Sequence, residues 1–100
     1  MSTEVRHNAD ADRFEVFFDG MLAGRAEYVD RSGRWVFTHT EIDDAYEGKG
    51  LGSALAKGAL DEVRRRGDRV VALCPFLRGW IDRHDEYGDL VDEEMDTELR

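Results

Sequence analysis

Tyr46-Glu47-Gly48-Lys49-Gly50-Leu51-Gly52-Ser53 is the stretch on which the reading of this chain turns. Before it lies Arg34 to Ile42 (RWVFTHTEI), rich in β-branched and aromatic residues as strands are. After it, Leu51, Leu55, Ala59, Leu60 and Val63 recur at helical spacing, which predicts an amphipathic helix over Ser53 to Arg66, stopped at Gly67. The stretch therefore joins a strand to a helix. Backbone N–H groups at such a junction fan out at the positive end of the helix dipole and make an anion site. Glycine there keeps a Cβ out of the path of a phosphate oxygen and admits positive φ, and Lys49 can add a charge-assisted contact. Spacing narrows the ligand. A Walker loop needs Lys and then Ser or Thr after its last glycine, and Leu51 follows Gly50; a dinucleotide fingerprint needs a third glycine where Ser53 stands.

Working back from the loop, Arg13 to Phe18 and Met21 to Val29 flank Asp19-Gly20, a strong signal for a two-residue hairpin turn. Asp30-Arg31-Ser32-Gly33 is a second turn, so three strands form an antiparallel meander. Residues 1–12 carry no clear period and are expected as a flexible lead-in. Working forward, Val70 to Cys74 (VVALC) reads as a buried, parallel-type strand whose pairing Pro75 ends. Phe76 to Val91 has helical spacing, and residues 92–100 form an acidic tail.

The chain of 100 residues has 41% hydrophobic content, enough for one domain with one core, here placed at 13–91. A formal net charge of −9 repels a phosphate backbone and argues against nucleic acid as partner. The uncharged runs are strand-sized, far short of a membrane span, and Met1 to Ala11 lacks the order of a signal peptide, so a cytoplasmic protein is expected. Cys74 is the single cysteine; it has no disulfide partner and no second thiol for a zinc site. It is packing or chemistry. No metal-ligand spacing is present.

Taken in order and spacing, His39-Thr40-Glu41, Gly48-Lys49-Gly50-Leu51-Gly52 and Cys74-Pro75-Phe76, set in hairpin, third strand, loop, helix, strand and final helix, resemble the GNAT superfamily of N-acetyltransferases over about Phe14 to Val91. The loop looks like that family's pyrophosphate loop, Gln/Arg-x-x-Gly-x-Gly/Ala, with Gly50 and Gly52 in the glycine positions and Glu47 where the family prefers Gln or Arg. The short single domain is similar to the YjdJ-type branch. The resemblance implies an α/β (α+β) fold: a mixed, mainly antiparallel sheet, two packed helices and splayed central strands. It implies acetyl-coenzyme A as co-substrate, held at Glu47, Gly48, Lys49, Gly50, Leu51, Gly52 and Ser53, with its thioester near the splay and no metal.

Amine acetylation needs a neutral amine, a base or water path for its proton, donors for the thioester carbonyl and an acid for the departing thiolate. His39 and Glu41 lie two apart on one strand and share a face, so either can serve as base. The family's acid is a tyrosine of the last helix, but the nearest aromatic after the strand here is Trp80, and Tyr87 stands two turns further on. Cys74 is then the candidate either for protonating the thiolate or for receiving the acetyl group, against the alternative of an inert packed thiol. The expected function is acetyl transfer to a protein lysine, an N-terminus or a small amine. The rival is a non-catalytic module that binds coenzyme A, for which Glu47 and Trp80 speak. The acceptor cleft is expected to be open, its acidic surroundings favouring cationic amines, and the chain to be a monomer or homodimer.

Overall fold

In a computed structural model, which describes residues 2–92, the chain forms one five-stranded sheet with strands in sequence order and its helices packed against it. The strands are β1 (Thr3–Asn8), β2 (Arg13–Phe18), β3 (Met21–Asp30), β4 (Arg34–Ile42) and β5 (Arg69–Ala72); the helices are α1 (Leu51–Arg65) and α2 (Pro75–Asp82). Neighbouring strands from β1 to β4 are antiparallel, and β5 joins β4 in parallel after the α1 crossover. The fold is the mixed, mainly antiparallel sheet with two packed helices that the sequence implied.

Local chemistry explains the turns. Asp19 and Gly20 hold φ of 49° and 83°, and Ser32 and Gly33 hold 56° and 90°. Paired positive φ matches the right-handed twist of the flanking strands. At the far end of α1, Gly67 takes φ of 73° and its N–H reaches the Arg64 carbonyl, which stops the helix where expected.

Two expectations need correction. Residues 1–12, read as a flexible lead-in, contain β1, paired along its length with β2. Val5 faces inward because Gly58 of α1 carries no side chain; a Cβ there would stand 2.7 Å from Val5 Cγ1. Phe76 to Val91, read as one helix, is α2 followed by a 3-10 turn over Asp85–Leu90. The break falls at His84, whose Nδ1 donates to the Trp80 carbonyl at 2.7 Å while the ring stacks on the Trp80 indole. Side-chain competition for a helical carbonyl ends the ladder there. The acidic tail lies, beyond Asp92, outside the described residues.

The two sheet faces differ. The inner face carries Phe14, Val16, Tyr28, Trp35 and Phe37, buried against Leu51, Leu55, Ala59, Leu60 and Val63 of α1. Full burial of each large side chain contributes roughly 1.5–3 kcal/mol before entropy is counted. Much of the outer face is a lattice of charges. One cross-strand row reads Arg6, Glu15, Arg25, Glu41 and the next Asn8, Arg13, Glu27, His39. Opposite charges on facing residues stabilise a sheet and keep the face wet. Within it Glu15 is buried; burial raises its carboxyl, but hydrogen bonds from Asn8 and Arg13 hold it below the usual carboxylate range.

His7 sits on the inner face, stacked on Phe14 at 4.4 Å and hydrogen-bonded through Nε2 to the Tyr28 hydroxyl. Burial, and then the Arg66 guanidinium, push its imidazole below the ordinary value near 6.5. The unfolded chain therefore binds this proton more readily than the folded one. The stabilisation is full above about pH 6.5 and is lost as pH falls through the window below it. Urea midpoints should accordingly drop between pH 7.5 and 5.5, and His7→Phe should flatten most of that slope; an unchanged slope would assign it elsewhere.

Candidate active site

The site is framed by the end of one ladder. β4 and β5 pair from Arg34 with Arg69 to Phe37 with Ala72, and β4 then continues to Ile42 paired with β3 but not with β5. The Phe37 carbonyl accepts from both Leu73 N–H and Cys74 N–H, each at 3.1 Å, and the chain turns away into α2. β5 thus stops at Ala72, short of the Cys74 expected. Between Thr38 to Ile42 on one side and Leu73-Cys74 on the other, the sheet opens on the strand-terminal side nearest the glycine loop.

That loop behaves as its composition dictates. Gly48 and Gly50 hold φ of 82° and 73°, and Gly50 is the N-cap of α1 with no side-chain cap. A Cβ built at either glycine meets nothing within 4 Å, so their requirement is the left-handed backbone and not crowding. The first N–H groups of α1 have no partner within the helix and no side-chain cap at Gly50. Gly52 differs: a Cβ there would stand 2.8 Å from Phe76 Cζ, so its missing side chain lets α2 approach α1. Ser53 accepts a hydrogen bond from Trp80 Nε1 at 2.9 Å, tying the two helices together. Leu51 is buried; Glu47 and Lys49 are exposed, and the Lys49 ammonium lies 5.2 Å from the Phe18 ring centroid.

Cys74 is the N-cap of α2 and is buried, with its Sγ–H donating to Thr40 Oγ1 at 3.4 Å. Thr40 pairs with Ala26 on the inner face. His39 and Glu41 point the other way: they pair with Glu27 and Arg25 of the outer lattice, and are each about half exposed (53%). His39 Nε2 lies 3.9 Å from Glu41 Oε1, while Glu41 Oε2 accepts from Arg25 Nη1 at 2.8 Å. The structure therefore brings His39 and Glu41 together and sets Cys74 across the sheet from them. A depression of about 170 Å³ lies beside Glu41, walled by Arg13, Leu22, Gly24, Arg25 and Asp43.

Thr40 is the site residue that reading of the sequence missed. It lay inside the quoted His39-Thr40-Glu41, but which face it took was not written in that triplet. Tyr87 is committed elsewhere: its hydroxyl donates to Asp61 Oδ1 at 2.7 Å, and burial together with that carboxylate raises its phenol above the usual range. Among the described residues no cluster of three or more His, Cys, Asp or Glu side chains suits a metal ion, and no helix is long and apolar enough to cross a membrane.

An open ladder beside a glycine-rich helix start defines a class, and the sequence agrees with it: the chain belongs to the GCN5-related N-acetyl-transferase family, whose profile matches residues 13–90. It is an acyltransferase. Among individual proteins, the chain is 28% identical over 80 residues to Protein NATD1 of Gallus gallus, covering 78% of this chain and 73% of that one. Protein NATD1 of Mus musculus is also 28% identical, over 79 residues, with coverage of 77% and 72%. In three dimensions, the solution structure of a GCN5-like protein from Staphylococcus aureus superposes with a TM-score of 0.69 at 20% identity, covering 89% of this chain and 87% of that one. The ribosomal-protein-S18-alanine N-acetyltransferase of Escherichia coli shares the fold at a TM-score of 0.57 and 24% identity, over 60% of this chain and 39% of its own.

Because Gly48 and Gly50 need left-handed backbone and meet no neighbour, Gly48→Ala and Gly50→Ala should each cost about 1 kcal/mol, the ordinary penalty for a Cβ there. Chemical denaturation checks this, and a neutral result at both would mean that the loop relaxes freely.

Proposed function

We propose that the chain transfers the acetyl group of acetyl-coenzyme A to a primary amine. The observation that carries this reading is the parting of β4 from the chain after Phe37, with Cys74 on one lip and the glycine loop beside it. A diphosphate would take the N–H groups of Gly48 to Ser53, and the coenzyme's arm would run from there toward Cys74. Such a site supplies acetyl-coenzyme A binding by helix dipole and backbone alone, in line with the absence of a side-chain cap at Gly50.

The placement of side chains suits a single displacement. The amine approaches from the outer face through the depression beside Glu41 and attacks the thioester carbonyl; the N–C bond forms, the C–S bond breaks, and the sulfur leaves toward the inner face. Cys74 there gives its S–H proton to the departing thiolate and is reprotonated from solvent after release. The amine's proton passes to His39. Glu41, already engaged by Arg25, stands beside the imidazole and helps to position it. A net charge of −9 draws cationic amines toward the opening, and a protein lysine, an N-terminus or a polyamine all fit an uncovered outer face.

Gly50→Asp, which places a carboxylate where diphosphate oxygens would lie, should abolish coenzyme A binding in calorimetry; unchanged affinity would remove the loop from the site. Cys74→Ala should leave that affinity within about tenfold while turnover, read as thiol release with an amine, falls by roughly two to four orders of magnitude. An acetylated native chain in mass spectrometry, absent from the alanine variant, would replace the acid role by a covalent intermediate on Cys74. Full turnover in Cys74→Ala would exclude both and leave His39 and Glu41. Coenzyme A binding without thiol release for any amine would make the chain a binding module.

A further inference from the structure

Two apolar side chains stay exposed at the opening, Leu73 at 44% and Phe76 at 39%. Phe76 is the more informative. It lies in the first turn of α2, two residues after Cys74, and its ring tip rests on Gly52 in the first turn of α1. The first turn of α2 thus touches the unit formed by β4, the glycine loop and α1 at two points. At one, Cys74 Sγ meets Thr40; at the other, Phe76 Cζ meets the backbone of Gly52. The Phe76 ring therefore stands at the start of α1, two residues along the chain from the thiol.

We infer that the Phe76 ring is the movable cover of this passage, an access-controlling residue that the coenzyme's arm must turn outward before its thioester reaches Cys74. The inference rests on the reading of the loop and gap as an acyl-coenzyme A site. Three properties suit the ring to the task. It is anchored at its backbone by a short helix, which Trp80 fixes to α1 through Ser53. Its tip packs on Gly52, a residue with no side chain to interlock with it. It is part-exposed, so a rotation about χ1 between staggered wells can exchange contact with Gly52 for contact with solvent. Once turned, an apolar face at the mouth offers the uncharged part of the arm a partner that the charged outer face does not.

Alkylation of Cys74 by iodoacetamide, without coenzyme A, tests the cover directly. Native chain, Phe76→Ala and Phe76→Trp are compared under strongly native conditions. Removing the ring should speed alkylation by about tenfold, a change of the size expected when a local opening step is no longer required, and the larger ring should slow it. General loosening of the fold would speed both variants, so acceleration in both, or no change in Phe76→Ala, overturns the cover. In stopped-flow mixing with coenzyme A, the association rate should rise in Phe76→Ala and fall in Phe76→Trp. Binding that is equally fast in all three overturns the cover and leaves the site intact. Failure of the native chain to bind coenzyme A at millimolar concentration overturns the site and with it any role in admitting the arm, while the alkylation rates still report whether the ring bars the way to Cys74.

Discussion

One carbonyl organises this molecule. By accepting both Leu73 N–H and Cys74 N–H, Phe37 ends the parallel ladder and turns the chain into α2. A ladder that ran two pairs further would carry Cys74 into β5 opposite His39 and close the gap there. Pro75, with no N–H of its own, makes the stop permanent, and its fixed φ suits the first turn of the helix that follows. The free length of β4, the position of the thiol and the approach of α2 to α1 all follow from that one termination.

Where the sequence was legible, it was legible because a local rule met no competitor. Asp19-Gly20 could only be a tight hairpin, and Leu51 to Val63 could only be one face of a helix. The glycine loop was legible too, but the reasons for its glycines were not. Gly48 and Gly50 serve backbone conformation whereas Gly52 serves helix packing, and that distinction needs the position of Phe76, distant in sequence. β1 was hidden by composition. Val5 and His7 alternate inward with Glu4 and Arg6 outward, yet a charged outer face and a histidine on the inner one mask the apolar period that marks a strand. The last helix looked continuous because spacing records apolar positions and not the fate of a carbonyl: Trp80 gives up its own to His84.

The candidate site divides along the same line. Its residue types and their order could be read from the chain; the side of the sheet on which each one works could not. Sequence placed His39 and Glu41 together, as the structure does, and placed Cys74 near the splay. That the thiol belongs to the apolar layer with Thr40, while the imidazole and carboxylate belong to the wet layer with Arg25 and Glu27, depends on pairings between strands far apart in sequence. The same partition gives the groups different surroundings: Cys74 is buried, while His39 and Glu41 are exposed to water.

The register of β3 and β4 skips at Glu27 and Tyr28: Tyr28 faces Phe37, Glu27 faces His39, and Thr38 has no opposite number. That single supernumerary residue reverses the parity of everything after it. Trp35 and Phe37 are inward at odd positions, and beyond the bulge the inward positions are the even ones, Thr40 and Ile42. A strand that kept Thr38 but paired it regularly would exchange the faces of the residues after it, turning the His39 imidazole to the oily layer and Thr40 to water. The chemistry of this sheet is therefore written in a count modulo two, and homologous chains of this architecture can be aligned meaningfully across β4 only if that one unpaired residue is kept in the count.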